Sequence, residues 1–377
     1  MKMKSIFATI LAGVMAFSMM SVSAFAAETD DLPYDISTKT VVVDSKEDLE
    51  WVSSYSNLDS DSNALIDGIP TTFKDWKINI TKDEIVFPES ETPNWTPIKN
   101  FQGTMTGVTE NENGYVTISG LNVSVNGDGA GLCGTTNGRP HFANIKIADS
   151  SFEASTNYAG AFMGSGFVSY FDNCHAENVV VTANRFVGGI VGTTYGNITN
   201  CSVTGTDTKI SVRGTSILSP TSGDNVGGIV GLVGEGNTVI SECLVDGITV
   251  TGARQVAGIA GAVQYGNTIK NCTVQNCNIE SVGTGLLILR GATPCAGGIV
   301  GQLAAASDTQ KISIIDNTVE NTSVTQKRTG TKYIGWAVGD ANTRLTTEQY
   351  VISGNKYIGT TDLDEVGFNP ANPSKAN

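Results

Sequence analysis

Thiols, carboxylates and guanidinium groups are the side chains whose spacing in this sequence could support chemistry. Cys174, Cys201, Cys243 and Cys272 lie 14, 12, 15 and 14 residues after Gly160, Gly189, Gly228 and Gly258, and Asn317 takes the equivalent place in "NTVEN". Stacked at strand spacing of roughly 4.8 Å, such thiols could form a disulfide ladder, a metal site or a buried column of small apolar groups. The last reading is preferred. The chain has seven cysteines, an odd number, only two histidines, and no Cys-x-x-Cys. Neighbouring positions on adjacent parallel strands also suit disulfide geometry poorly. Three residues beyond that column stand Glu177, Thr204, Asp246, Gln275 and Glu320. Glu177 and Asp246 would be two layers apart, roughly 9.6 Å, at the outer limit for an inverting glycosidase pair. No carboxylates fall on adjacent layers there, so a solvated outer face accounts for the column better. His141 and His175 are isolated and read as structural.

These spacings rest on a repeat. "VGGIVGTTYGNITNCSV" begins at Val187, "VGGIVGLVGEGNTVISECLV" at Val226, "VAGIAGAVQYGNTIKNCTV" at Val256 and "AGGIVGQL" at Ala296. Taking the second small residue of each box as anchor gives Gly131, Gly160, Gly189, Gly228, Gly258, Gly298 and Gly335, spaced 29, 29, 39, 30, 40 and 37. Periods in this range indicate stacked repeats. Each unit holds three short β-branched runs separated by Gly, Asn and Asp, with no helical periodicity. Three strands per ~29 residues describe one coil of a parallel β-helix; a propeller blade needs more chain. In "YGN", "EGN" and "YGN" at Tyr195, Glu235 and Tyr265, Gly or Asn is expected to take positive φ.

The ends read differently. Residues 1–26, with Lys2 and Lys4 before an apolar stretch and Ala24-Phe25-Ala26 at its close, have the pattern of a secretory signal peptide. Removing Lys2 and Lys4 from the 23 basic residues leaves 21 against 37 acidic ones, a net charge of −16. That surface excludes nucleic acid and anionic lipid as partners, and no later run is long enough for membrane insertion. "FNPANPSKAN" shows no Leu-Pro-x-Thr-Gly sorting pattern. The expectation is a secreted, extracellular protein, released or loosely associated with the cell surface.

The repeats resemble GLUG motifs, the Gly-rich units of bacterial secreted and surface proteins. Asp44–Tyr55 ("DSKEDLEWVSSY") resembles the short helix that opens such domains, and Trp95–Val123 resembles the segment leading into their first coil. The resemblance spans roughly Thr40 to Gly359. It implies an all-β fold, a right-handed parallel β-helix with a short N-terminal capping helix, and it carries no catalytic residue across. The organisation expected is 27–125 for the cap and first irregular coils, 126–360 for the repeats and 361–377 for a polar tail. Leu49, Trp51 and Val52 would cover the open apolar end, as solenoid caps must, and the strands of Trp95 and Phe101 would form the first coils.

β-helices include polysaccharide lyases and glycoside hydrolases, which makes such an enzyme the alternative reading. The sequence has no Asn-Thr-Asp, Gly-His-Gly or Arg-Ile-Lys string, no His-Glu-x-x-His, no nucleophile box and no phosphate loop. No metal or cofactor is expected. Departures from the repeat are more informative. Added length enters mostly at one corner, as Ile210–Asn225, Ser281–Pro294 and Thr325–Lys332. Five of the seven arginines fall there: Arg185, Arg213, Arg254, Arg290 and Arg328, beside the apolar run that includes Leu286 and Leu289. Insertions on one side of a solenoid often build its binding face, and arginine beside apolar surface is interface composition. That face would bind a host extracellular protein, such as an immunoglobulin or a mucin-type glycoprotein, or a glycan. The other reading, equally open, has the arginines fastening the loops and the leucines buried.

Overall fold

The computed structural model describes residues 33–58, 64–88, 92–212, 224–283, 294–327, 332–341 and 345–367. They form a parallel β-helix. A 23-stranded sheet bends round two corners, and seven- and six-stranded sheets close the remaining side. In a regular coil the chain passes through an entry strand (Ile198–Thr199, Val239–Ser241, Thr268–Lys270), a middle strand (Ser202–Thr204, Leu244–Asp246, Thr273–Gln275) and an exit strand (Lys209–Val212, Thr249–Gly252, Asn278–Ser281). The Gly-rich box then returns it. Each strand pairs in register with its counterpart one coil on. One interior position of the entry strands runs without a break from Val41 through Ile78, Met105, Phe142 and Phe171 to Ile352.

The glycines of the box follow from a thin core. A Cβ at Gly228 would overlap the carbonyl oxygen of Gly258 in the next coil and sit 3.0 Å from Val245 Cγ1 on the middle strand opposite. The same overlap recurs at Gly189, Gly258 and Gly298, against Val203, Val274 and Val319. Three anchors are displaced by one residue. Ala130 pairs with Ala159, Ala159 with Val187 and Gly297 with Gly335, so Gly131, Gly160 and Gly335 match the first glycine of the box rather than the second. Leu132, Ala161 and Trp336 occupy the second place.

The sharp corners are not in the "YGN" turn, where Gly266 alone of those glycines and asparagines has positive φ. They flank the middle strand. Asn144, Asn173, Asn200, Glu242, Asn271, Asp316 and Gly354 form one left-handed column, and Asp149, Asn178, Gly205, Gly247, Asn276, Asn321 and Gly359 the other. Gly, Asn and Asp tolerate this region best, and their amides bridge coils. Asn173 donates to Asn144 Oδ1 at 3.0 Å and Asn200 to Asn173 Oδ1 at 3.1 Å.

The only helix among the described residues, α1, is Lys46–Ser56. Ser45 caps it by accepting from Asp48 N, while Asp48 reaches back to accept from Asp44 N, one residue before the cap, at 3.2 Å. Leu49 and Val52 are buried, and Trp51, half-buried, stacks on Tyr34 and meets Phe73 edge-on. Ser53 and Asn57 donate to the carbonyls of Thr96 and Pro97, which docks the helix on the segment carrying Trp95 and Phe101. Both aromatics are buried, but from loop backbone rather than strands. Phe73, Phe101, Phe142 and Phe171 then lead ring to ring into the coils. At the other end Trp336 N and Ala337 N donate to the carbonyls of Asp364 and Glu365, so the chain as far as Gly367 adds a last layer over the box. No helix among the described residues is long and apolar enough to cross a membrane.

Candidate binding surfaces

The cysteine column lies inside the wall. Strand register places Cys174, Cys201, Cys243, Cys272, Asn317 and Asn355 one above another. The four thiols are at most 2% exposed and unpaired. Each donates to a carbonyl two residues back: Asp172, Thr199, Ser241 and Lys270, at 3.2–3.5 Å. Burial pushes the Cys201 and Cys272 thiols well above their ordinary pKa. Where the column turns to asparagine, Asn317 Oδ1 accepts from Cys272 N at 2.9 Å. Among the described residues no group of three or more His, Cys, Asp or Glu is placed to hold a metal ion.

The inserts open where expected, between exit strand and box: after Val212, after Ser281 and after Gln326. The intervening coil crosses the same corner directly, through Gly252, Ala253, Arg254 and Gln255. Arg213, Leu286, Leu289, Arg290 and Arg328 lie outside the described residues. The other two arginines have a definite task. Register puts Arg185, Asp224 and Arg254 on three successive coils, each two residues before the first box strand residue that pairs. Arg254 Nη1 lies 2.6 and 2.7 Å from the two oxygens of Asp224, and Arg185 Nη2 lies 3.3 Å from Oδ2. The Asp224 side chain is 7% exposed. Burial raises its pKa above the carboxylate norm, against the pull of Arg254 and then Arg185. The guanidinium of Arg185 also packs 4.6 Å from the Phe186 ring centre, and Phe186 stacks on Tyr158. Arg185 and Arg254 therefore fasten the base of an insert, since Asp224 is where the first one rejoins the wall.

The carboxylate column has the register read from the sequence: Glu177, Thr204, Asp246, Gln275, Glu320. Its two candidate acids do not converge. Asp246 accepts from Asn276 at 2.9 Å, whereas Glu177 pairs with Lys146 at 2.9 Å and lines a cleft of ≈ 370 Å³ over the first regular coils. Sequence reasoning missed this cleft. Asp83, Glu84, Tyr115, Lys146, Asp149 and Glu177 surround it. Beside it His175 bonds Ser202 Oγ at 2.8 Å and Asn173 Oδ1 at 2.9 Å and lies 4.7 Å from the Tyr115 ring. Burial, then the Lys146 charge, lowers the His175 pKa to about 4. Burial opposes the Lys146 charge too, but Glu177, Tyr115 and Asp149 outweigh it and raise its pKa. His141, on the entry strand, lies T-shaped to Tyr170 with ring centres 6.3 Å apart.

The profile of the GLUG motif matches residues 183–208, one coil from Arg185 through the box and the thiol of Cys201 to the second corner. The chain carries a GLUG motif. No curated protein matches the sequence. A crystal structure from Bacteroides ovatus, described as that of a "putative immunoglobulin A1 protease", aligns over 87% of this chain and 76% of that one, at 16% identity and a TM-score of 0.43. Likeness at that level is too low to carry function across.

Proposed function

We propose that this GLUG-motif β-helix is an extracellular protein that binds a host or cell-surface macromolecule, an immunoglobulin, a mucin-type glycoprotein or a glycan, through the segments inserted at one corner. One observation carries the reading. The two longest inserts, after Val212 and after Ser281, leave the wall at the same corner, and Arg185, Asp224 and Arg254 rebuild strict register where the first returns. A loop that served only to connect strands would be as short as Ala253–Arg254, which joins the same two walls one coil later. Keeping long inserts on a fastened base is the arrangement of a presented surface.

The neighbouring coil supplies the test. Register equates Val212 with Gly252 and Asp224 with Arg254, so residues 213–223 can be replaced by a single alanine; 282–293 can be replaced likewise. The shortened protein is expected to melt as a folded β-helix and to lose capture by immobilised secretory immunoglobulin, mucin or cell-wall glycan, whichever binds the intact protein. Capture unchanged by the shortening would remove the corner from consideration.

A further inference from the structure

The cleft at Glu177 lies on another wall from the inserts, and its construction points to a ligand of its own. Its floor is Ser119 and Ala148, successive residues of the outward column that continues into Glu177. Both are buried, yet Ala148 is not part of the hydrophobic core; the walls of the cleft cover it. One wall is the loop ending at Tyr115. Asn111 closes that loop by donating to Tyr115 O at 2.9 Å and accepting from Gly114 N at 3.0 Å, and it also donates to Asp83 Oδ1 at 3.2 Å. The opposite wall is Asp149 and Asn178 of the second left-handed corner, joined at 3.2 Å. Lys146 stands between the walls, held by Glu177 at 2.9 Å and 5.6 Å from the Tyr115 ring centre. The site is thus formed in advance of any ligand.

We infer that this cleft binds a neutral, hydroxyl-rich oligosaccharide segment. Its volume, ≈ 370 Å³, lies within the ~300–1,000 Å³ of small-ligand sites. Asp83, Glu84, Asp149 and Glu177 place four acceptors around the floor against one ammonium, which repels uronates and sulfated sugars. Sugar hydroxyls donate to carboxylates and accept from Lys146 and the asparagine amides, so they can use both kinds of group at once. A polycation would satisfy the carboxylates but would meet Lys146. The Tyr115 ring, against which Lys146 already stands, borders the cleft.

The experiment uses the full protein on an array of neutral hexasaccharides (gluco-, galacto-, manno- and N-acetylhexosamine series), with polygalacturonate, oligolysine and calcium as further arms, followed by titration calorimetry. Binding of at least one neutral series is expected. Asp149→Asn, which keeps a residue suited to its left-handed backbone, and Glu84→Gln should each weaken it about tenfold. Ala148→Leu, filling the floor from outside the core, should abolish it while thermal unfolding stays as in the parent. No neutral binding at millimolar concentration overturns the inference. So does binding indifferent to all three substitutions, or selective binding of oligolysine, polygalacturonate or calcium. Shortening the corner inserts must leave this binding intact, which separates the two sites.

Discussion

The corners of this solenoid are built in two ways. On either side of the middle strand one left-handed residue turns the chain in every coil from Asn144 to Gly354 and from Asp149 to Gly359, and strands on both sides stay in register. At the insertion corner the link is a single residue between Ala183 and Arg185, and a long excursion between Val212 and Val226. The first kind is fixed by backbone conformation and takes little extra chain, at most the two residues added between Gly205 and Lys209. The second is fixed by charge, with Asp224 between two arginines, and any length can leave and return. The longest added segments leave where register does not depend on the turn itself.

The largest effect expected from breaking this contrast is at Asp224. Asp224→Ala leaves Arg254, whose side chain is 17% exposed, without its nearest carboxylate. Removing one partner of a buried pair costs about 3 kcal/mol or more. Arg254→Ala should cost a similar amount, and Arg185→Ala less, because Arg185 is 32% exposed and its nitrogen is 3.3 Å away. Chemical unfolding of the three variants checks the order. An Arg185→Ala that costs the most would mean that the clamp is not centred on Arg254.

A smaller effect belongs to the left-handed corners. Gly205 has φ +101°, and a Cβ there would overlap Asn178 Oδ1 and come within 3.0 Å of Asn178 N. Gly205→Val should destabilise by about 1–3 kcal/mol. Gly205→Asn, the residue found at Asn178 and Asn276 in the same column, should cost less than half of that. Equal losses for valine and asparagine would assign the cost to crowding rather than to backbone conformation.

How far this was legible in the sequence follows the same division. The thiol column and the carboxylate column were read in their true register, because the first corner and the middle strand have constant length, and the offset of three between the columns survives from coil to coil. Box anchors failed at Gly131, Gly160 and Gly335, where Leu132, Ala161 and Trp336 stand in the second glycine's place and the repeat loses its spelling. The left-handed columns were hidden by chemistry: Asn, Asp, Gly and even Glu242 fill one geometric role, so no single letter recurs. The clamp left a usable signal, since Arg185, Asp224 and Arg254 stand at the same offset from Val187, Val226 and Val256. The cleft left none. Its groups come from Asp83, Tyr115, Lys146 and Glu177, on coils whose early members lack the box altogether.

The smallest expected effect tests whether the first left-handed corner is as independent of charge as its backbone implies. His175 is bonded to that corner through Asn173 Oδ1 at 2.9 Å, and its pKa is lowered to about 4 by burial and by Lys146. An unfolded histidine titrates near 6.5. Between those values the unfolded chain holds a proton that the folded chain does not, so stability is fully present above about pH 6.5 and declines as pH falls toward 4. Below the folded pKa both states are protonated and the decline stops. His175→Gln keeps a donor for Asn173 and removes the titration. Its melting temperature should therefore fall less steeply than the parent's through this window, with the two curves parallel above pH 7. The Asn173 ladder to Asn144 and Asn200 should survive in both, because its partners are amides. If the glutamine variant shows the same slope, His175 does not set the pH dependence, and the corner is held by backbone and amides alone.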